Sequence, residues 1–209
     1  MGIENFFTFI ITALLFIMTP GIDTIYILNK SVGQGKRAGI YSTLGINTGV
    51  LVHTLFAALG LSLLVAKSAL AFSVLKYAGA AYLIYLGISK VTSKAGIIST
   101  ANEEQPPSTS RQNFVSGLIT NVFNPKVALF FLAFFPQFIS RSQINTPTPF
   151  ILLGVTYAVI GVLWFLLLTF FASLFSERLL SRPSSGKWLN KGSGGVFILM
   201  GLKIALSRR

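Results

Sequence analysis

The chain has no cysteine, one histidine and only five acidic residues among 209. Without cysteine, neither a disulfide nor a thiolate metal site can form. One imidazole and so few carboxylates leave little from which to assemble metal-dependent or acid–base catalysis. The phosphate-binding pattern GxxxxGK[ST] is also absent, so the sequence does not indicate ATP as an energy source. These absences predict a protein that is not an enzyme and that needs no cofactor and no metal ion.

Charge is also scarce, and oily residues are abundant. The chain is 53% hydrophobic and 11% charged, with a mean hydropathy of +0.72, which is far from the balance of a soluble domain. Apolar stretches of about 20 residues, enough to cross a bilayer core, recur along its length. The first of them lacks the basic n-region and the cleavage site of a signal peptide and is interpreted as a retained span. We therefore expect an all-α integral membrane protein surrounded by the lipid bilayer.

The formal net charge of +12 raises nucleic acid as an alternative partner. Lysines and arginines, however, lie in short segments between apolar runs and form no continuous basic patch with interleaved aromatics. Membrane topology explains them better, so no nucleic-acid partner is expected.

Hydropathy predicts six transmembrane helices, separated into two groups of three by one polar linker. The linker, 91–113, is rich in Ser, Thr, Pro and Glu, which cannot pack in lipid. The predicted units are therefore a first repeat over 1–90, the linker, and a second repeat over 114–209. The predicted spans are Ile3–Leu28, Gly39–Ala66, Ala69–Ser89, Phe114–Ile139, Pro149–Phe175 and Trp188–Leu206.

The distribution of lysine and arginine predicts the orientation. Ten of them lie in the loops after spans one, three and five, against six on the other side. Because basic loops stay in the cytoplasm, segments 29–38, 90–113 and 176–191 are expected to be cytoplasmic and both termini outside. The ten are Lys30, Lys36, Arg37, Lys90, Lys94, Arg111, Arg178, Arg182, Lys187 and Lys191.

The two halves resemble each other. Spans one and four each carry a helix-breaking centre, Thr19-Pro20-Gly21 and Asn124-Pro125-Lys126, and spans three and six share a pattern, GAAYLIYLGI against SGGVFILMGL, that aligns Gly87 with Gly201. Three spans per half place the second copy upside down in the membrane. Inverted repeats with interrupted helices at matching positions are typical of secondary transporters and indicate a site near the bilayer midplane.

The helix breaks at Pro20 and Gly21, and at Pro125, are predicted to form that site. Proline lacks an N–H group and frees a carbonyl one turn back, which lipid cannot satisfy. Asp23 follows the first break and Lys126 the second, and a charge inside the membrane usually pairs or lines a polar path. We expect Asp23 to hold an ammonium group or a proton and Lys126 to hold a carboxylate, so that together they bind a zwitterionic amino acid or pair with each other when the site is empty.

Lys126 has an alternative interpretation, in which its ammonium group reaches the membrane surface as an anchor. From Lys126 to Ile139 there are 14 residues, which span about 21 Å as a helix and are too few to cross the bilayer. A helix that begins at Phe114 instead places Lys126 near its middle. Burial is therefore favoured.

Span two contains GINTGVLVH, with Gly45 and Gly49 at GxxxG spacing and with Asn47 and His53. The glycine spacing is typical of close helix packing without a transport role. His53 shares a helix face with Gly49 and is either a hydrogen-bonded interior histidine or a proton relay. Asn47 and His53 are retained as candidate site residues.

The segments TPGID, SVGQGKRAG, GINTGVLVH, GAAYLIYLGI and NPKVALFFLAFFPQF, in this order and spacing, resemble the LysE superfamily of amino-acid exporters, in its RhtB-like branch. The resemblance implies a bacterial inner-membrane exporter driven by the proton motive force. It also adds Thr19 and Asn124 to the functional positions at the two breaks. The family's first motif is usually TPGPD, and here Ile22 replaces its second proline.

The sequence thus predicts secondary-active export of an amino acid or a close derivative across the cytoplasmic membrane, coupled to protons, by a chain whose small-residue faces are compatible with a homodimer. The alternatives are a passive channel, a scaffold that transports nothing, and a membrane-embedded enzyme. Proton-independent dissipation of an amino-acid gradient would distinguish a channel from an exporter.

Overall fold

The computed structural model describes residues 2–61, 69–92 and 108–174, together with nine positions near the C-terminus. Those nine, all helical, are 191, 194, 195, 198, 199, 201, 202, 205 and 206. Across the described residues the fold is all-helical, and the only strand-like pairing is an isolated antiparallel bridge between Ile3 and Ile139. This part of the chain therefore confirms the all-α class.

Seven helices account for the continuous described ranges. Two of them extend into irregular helical turns, α3 through 57–61 and α6 through 130–138. In the extension of α6, Pro136 removes a backbone donor and the helix leaves α geometry. The helices are α1 (Phe6–Met18), α2 (Ile22–Gly33), α3 (Gly35–Phe56), α4 (Ala69–Thr92), α5 (Ser110–Val122), α6 (Pro125–Leu129) and α7 (Pro147–Leu174).

Four of the predicted spans match helices or helix pairs that are apolar and long enough to cross a membrane. Two are single helices, over Gly35–Gly60 and Pro147–Ala172. Two are bent pairs, in which α1 and α2 meet at 56°, and α5 and the helix over Pro125–Phe138 meet at 47°. The third span corresponds to α4, which contains a shorter apolar helix over Tyr77–Ser89, while most of the predicted sixth span lies outside the described residues.

The fourth span begins at Ser110, four residues before the predicted start and inside the predicted linker. A capping box explains this start, because the Thr109 hydroxyl accepts a hydrogen bond from Gln112 N while the Gln112 side chain accepts one from Thr109 N. The first residues of the linker, up to Thr92, likewise belong to α4. The centre of the linker lies outside the described residues.

Large apolar side chains remain on the outer surface of the helices. Phe7, Leu55 and Leu163 are among the most exposed hydrophobic residues on α1, α3 and α7. A water-soluble monomer rarely shows so much apolar surface, whereas lipid contact requires it. The exposed face therefore supports insertion of these helices in a bilayer.

Phenylalanines from the two bent pairs form the core between them. The rings of Phe16 and Phe130 lie 4.4 Å apart, and Phe131 and Phe135 lie 4.1 Å apart, all four being buried. Phe9 joins the cluster edge-on through Phe135. The aromatic run of span four therefore packs inside the protein and fixes the two breaks side by side.

Helix α3 lies at the centre and contacts α2, α5 and α7. A methyl group at Gly45 would lie 2.0 Å from the Phe114 carbonyl oxygen, and one at Gly117 would lie 2.6 Å from the Ser42 carbonyl oxygen. Glycine at both positions is what allows the backbones of α3 and α5 to approach so closely.

Helix α4 contacts described positions near the C-terminus at a second pair of glycines. A methyl group at Gly87 would lie 2.7 Å from the Gly194 carbonyl oxygen, and one at Gly201 would lie 2.8 Å from the Ala80 carbonyl oxygen. The predicted alignment pairs Gly87 with Gly201 and Ala80 with Gly194. Exchanging the two halves therefore turns one contact into the other.

Candidate functional site

The first break lies at Pro20, between α1 and α2. In a continuous helix the N–H of residue 20 would donate to the Phe16 carbonyl, and proline has no N–H to give. The Lys126 ammonium takes its place, with Nζ 2.9 Å from the Phe16 carbonyl oxygen and 2.6 Å from that of Thr19. Nζ also lies 4.7 Å from the centre of the Phe16 ring, a cation–π contact. A side chain of the second break thus satisfies the backbone of the first.

The second break lies at Pro125, between α5 and α6. The carbonyl that this proline leaves without its helical donor is that of Asn121, and it accepts from His53 at 3.0 Å and from Asn124 N at 2.9 Å. Because a carbonyl only accepts, His53 Nε2 carries a proton. His53 is therefore a hydrogen-bonded interior histidine. Asn124 also caps α6, since its Oδ1 accepts from Lys126 N at 3.0 Å.

Asp23 lies in the first turn of α2 and faces the end of α5. Its Oδ2 accepts a hydrogen bond from Asn121 Nδ2 at 2.8 Å, and Lys126 and His53 are close enough to act on it electrostatically. Asn124 is placed beside Asp23 as a second amide donor, although neither Asn124 Nδ2 nor Asp23 Oδ1 makes a hydrogen bond among the described residues. Asp23 and Lys126 are 7% and 9% exposed, so neither reaches the protein surface. The interpretation of Lys126 as a surface anchor is therefore wrong.

Asp23 and Lys126 line one internal cavity, together with polar groups from both breaks and from α3 and α7. Its volume is about 10 Å³, about enough for a single water molecule. An amino acid does not fit, so this conformation is closed. The lining residues are Ile17, Gly21, Asp23, Thr24, Asn47, Val50, Asn121, Asn124, Lys126, Val127, Tyr157, Gly161 and Phe165.

The structure brings most of the predicted site residues together. Gly21 lies against Lys126, because a methyl group there would be 3.1 Å from Lys126 Cδ. Thr19 and His53 are one hydrogen bond from lining residues and do not line the cavity themselves. Pro20 is buried at the first break, whereas Pro125 is exposed on the outer surface.

The two predicted packing glycines differ in their surroundings. Gly45 packs against the backbone of α5 and is not among the cavity-lining residues, whereas a methyl group at Gly49 would lie 2.7 Å from Asn121 Oδ1. Gly49 therefore adjoins the site.

Sequence reasoning missed Asn121 and the contribution of α7. Asn121 is fully buried and connects Asp23, His53 and the second break. A signal for it existed, because it is a polar residue in an apolar span and stands one turn before Pro125. Tyr157, Gly161 and Phe165 had no such signal, since α7 is apolar all round. Within the described ranges, no group of three histidine, aspartate or glutamate side chains is placed to bind a metal ion.

Comparison with known proteins agrees with the resemblance. The LysE type translocator family profile matches residues 14–208. The chain is 35% identical to a homoserine/homoserine lactone efflux protein of Salmonella typhimurium, covering 100% of this chain and 99% of that protein. It is 31% identical to an uncharacterized membrane protein of Bacillus subtilis (98% and 100% covered) and 28% identical to a leucine efflux protein of Enterobacter sp. (98% and 96% covered). No solved structure matches the chain.

A family match over nearly the whole chain, apolar helices that suit a bilayer, and a buried charged cavity between two broken helices all agree. The chain therefore belongs to the LysE type translocator family, as a multi-pass membrane transporter and not an enzyme.

Proposed function

We propose that this protein exports amino acids or close derivatives across the bacterial cytoplasmic membrane, through the cavity between its two broken helices. The observation that carries the proposal is that Asp23 and Lys126, one from each break, line the same buried cavity. A buried carboxylate and a buried ammonium suit the two ends of a zwitterion.

Lys126 brings a positive charge to the wall of the cavity. The Phe16 and Thr19 carbonyls orient the ammonium group and carry no net charge of their own. Lys126 therefore attracts a carboxylate, while the carboxylate of Asp23 attracts an ammonium group or a proton.

The names of two relatives support this chemistry. Homoserine, homoserine lactone and leucine, which name the Salmonella and Enterobacter efflux proteins, all carry an α-amino group. Homoserine and leucine are zwitterions, whereas the lactone has no free carboxylate. Leucine and homoserine are therefore the first compounds to test on this chain.

Export requires the cavity to open, since its present volume is near that of one water. We propose that it opens alternately to either side as two inverted three-helix repeats rock against each other. The reciprocal contacts of Gly87 with Gly194 and of Gly201 with Ala80 support such a pseudo-twofold relation.

We also propose that protons drive the cycle through Asp23. Its carboxylate is the acidic side chain among the residues that line the cavity, and a proton and a substrate ammonium compete for the same oxygens. Competition of this kind couples the two ions in antiport.

Counterflow in proteoliposomes tests the proposal. We expect radiolabelled leucine or homoserine to exchange in vesicles that contain the protein, and an imposed proton gradient to accelerate net movement, with loss of that acceleration on adding an uncoupler. Asp23→Asn and Lys126→Gln should each reduce transport at least about a hundredfold, because each removes a charged partner of the substrate. Lys36→Gln, which removes an exposed lysine, is the matched control.

Two results would contradict the proposal. Full transport in both Asp23→Asn and Lys126→Gln would remove the two charges from the mechanism. Dissipation of an amino-acid gradient without any response to protons would indicate a passive channel.

The proposed orientation places the basic loops in the cytoplasm and both termini outside. The absence of cysteine makes a clean test available, because a single introduced cysteine reports its own side of the membrane. In intact cells we expect Ser142→Cys to react with an impermeant maleimide and Arg111→Cys to react only after permeabilisation. The reverse pattern would invert the topology.

A further inference from the structure

Three buried oxygens at the cavity accept no hydrogen bond from the part of the chain that the structure describes. They are Asp23 Oδ1, Asn47 Oδ1 and Asn121 Oδ1, and all three side chains line the cavity. Their exposed fractions are 7%, 5% and 0%. Buried polar groups in folded proteins are normally paired, so three acceptors around one cavity suit a water molecule or a ligand that brings N–H or O–H donors.

The orientation of the two amides follows from their partners. Asn47 Nδ2 donates to the Thr43 carbonyl at 2.8 Å, and Asn121 Nδ2 donates to the carboxylate of Asp23 at 2.8 Å. The Thr43 carbonyl and the ionised carboxylate of Asp23 accept and do not donate, so turning either amide over would place oxygen against oxygen. The unpartnered atom of each amide is therefore its oxygen.

Two glycines leave space beside these oxygens. A methyl group at Gly161 would lie 2.5 Å from Asn47 Oδ1, and one at Gly49 would lie 2.7 Å from Asn121 Oδ1. A side chain at either position would press on the free oxygen. Asn124 Nδ2 also lies close to Asp23 and can donate to its carboxylate, but a carboxylate oxygen accepts more than one hydrogen bond, so all three oxygens can still receive a donor from a ligand.

We propose that Asp23, Asn47 and Asn121 form a subsite for a primary ammonium group, whose three N–H donors match the three free oxygens. This inference rests on the proposed export of amino acids and adds a rule of selection to it. The ammonium group of the substrate must be unsubstituted, because each N-methyl group removes one donor and leaves one oxygen unpaired.

The ammonium group fits this cavity better than a metal cation does. The three free oxygens come from two neutral amides and one carboxylate, and both an ammonium group and a metal ion can bind such oxygens. Lys126 lines the same cavity, and its positive charge repels a metal cation. A zwitterion, in contrast, brings a carboxylate for Lys126 along with its ammonium group.

Methylated analogues of one substrate test the rule. Vesicles containing the protein are loaded with radiolabelled leucine, and its counterflow is measured against unlabelled leucine, N-methylleucine and N,N,N-trimethylleucine outside. We expect N-methylleucine to compete about tenfold more weakly than leucine, and the trimethylated compound not to compete, because unpaired buried acceptors are costly.

Variants of the subsite sharpen the test. In Asn47→Leu the third oxygen is absent, so leucine should compete about as weakly as N-methylleucine and the discrimination between them should fall towards one. Thr48→Val, on the next position of the same helix and outside the cavity lining, is the matched control. Gly161→Ala should weaken competition by leucine about tenfold, whereas Gly60→Ala, which has no atom within 4 Å of the added methyl, should not. Thermal unfolding of each purified variant checks that it is folded.

The outcomes separate this subsite from export itself. If leucine exchanges and N-methylleucine competes equally well, the subsite is wrong and export stands. If neither leucine nor homoserine exchanges, the proposed function fails and the subsite with it. A third result is that sodium stimulates exchange and that Asn47→Leu removes this stimulation without changing the discrimination between leucine and N-methylleucine. This result would assign the oxygens to a coupling metal ion and overturn the inference.

Discussion

The two broken helices look alike in sequence and do different work in the structure. At the first, Pro20 frees the Phe16 carbonyl, and the donor that satisfies it is Lys126 from the other break. At the second, Pro125 frees the Asn121 carbonyl, which His53 on α3 and the backbone of Asn124 satisfy. The first break contributes acceptors and a carboxylate, and the second contributes an ammonium group and amides. The two breaks are thus complementary, and the carbonyl freed at each one is satisfied by a donor from another segment.

The largest effect expected from breaking this complementarity is at Lys126. Lys126→Met should lower the free energy of unfolding by about 2 kcal/mol, because two buried carbonyls lose their donor. Pro20→Ala restores an N–H for Phe16, so the double variant should recover about 1 kcal/mol of that loss. Chemical unfolding in detergent gives the four free energies of the cycle.

Pro125→Ala is the matched control for this cycle, since it restores an N–H at the other break. The effects of Pro125→Ala and Lys126→Met on the free energy of unfolding should simply add, so this double variant should recover none of the stability lost in Lys126→Met. Equal recovery by both prolines would show that Lys126 does not replace the donor missing at Pro20.

The second prediction extends the comparison from the breaks to the remaining helices of each half. Gly87→Ala and Gly201→Ala should each destabilise the protein by about 2 kcal/mol, because each methyl group would lie under 3.0 Å from a backbone oxygen. If the halves are copies, the two losses agree within about 0.5 kcal/mol. Melting in detergent measures both, with Gly60→Ala as the unaffected control.

Asn124→Ala sharpens the contrast in capping. This change removes the side-chain cap of α6 and should cost about 1 kcal/mol, while Asn124→Asp should retain most of the stability. At the first break the N-cap of α2 is Gly21, which has no side chain, so no substitution there can remove a side-chain cap. If Asn124→Ala leaves the free energy of unfolding unchanged, Pro125 alone determines where α6 begins.

The smallest effect is expected at His53. His53→Leu should cost about 0.5 to 1 kcal/mol, less than Lys126→Met, because Asn124 N still donates to the Asn121 carbonyl. His53→Gln keeps a donor and should lie nearer to the natural protein. If His53→Leu abolishes proton-driven export while leaving counterflow and stability intact, His53 is a proton relay and its backbone role is secondary.

Particular residues show how far sequence reasoning reached into the site. Pro20, Pro125, Asp23 and Lys126 are conspicuous because proline and charge are rare inside apolar spans, and they do meet at one cavity. Asn47 was selected together with His53 from the segment GINTGVLVH of span two. Asn121 was overlooked, although it bonds Asp23, and Gly161 on α7 had no local signal at all.

The sequence by itself determined that this protein enters a membrane, where its helices break and which charges are carried inside. Those properties are local, because hydropathy, the missing N–H of proline and the cost of a buried charge depend on the residues themselves. Only the tertiary structure decided that Lys126 donates to the Phe16 carbonyl, that His53 donates to that of Asn121, and that three cavity oxygens have no donor among the described residues. Such pairings depend on how each helix is rotated and how closely its glycines let the next one approach, and no single segment encodes that.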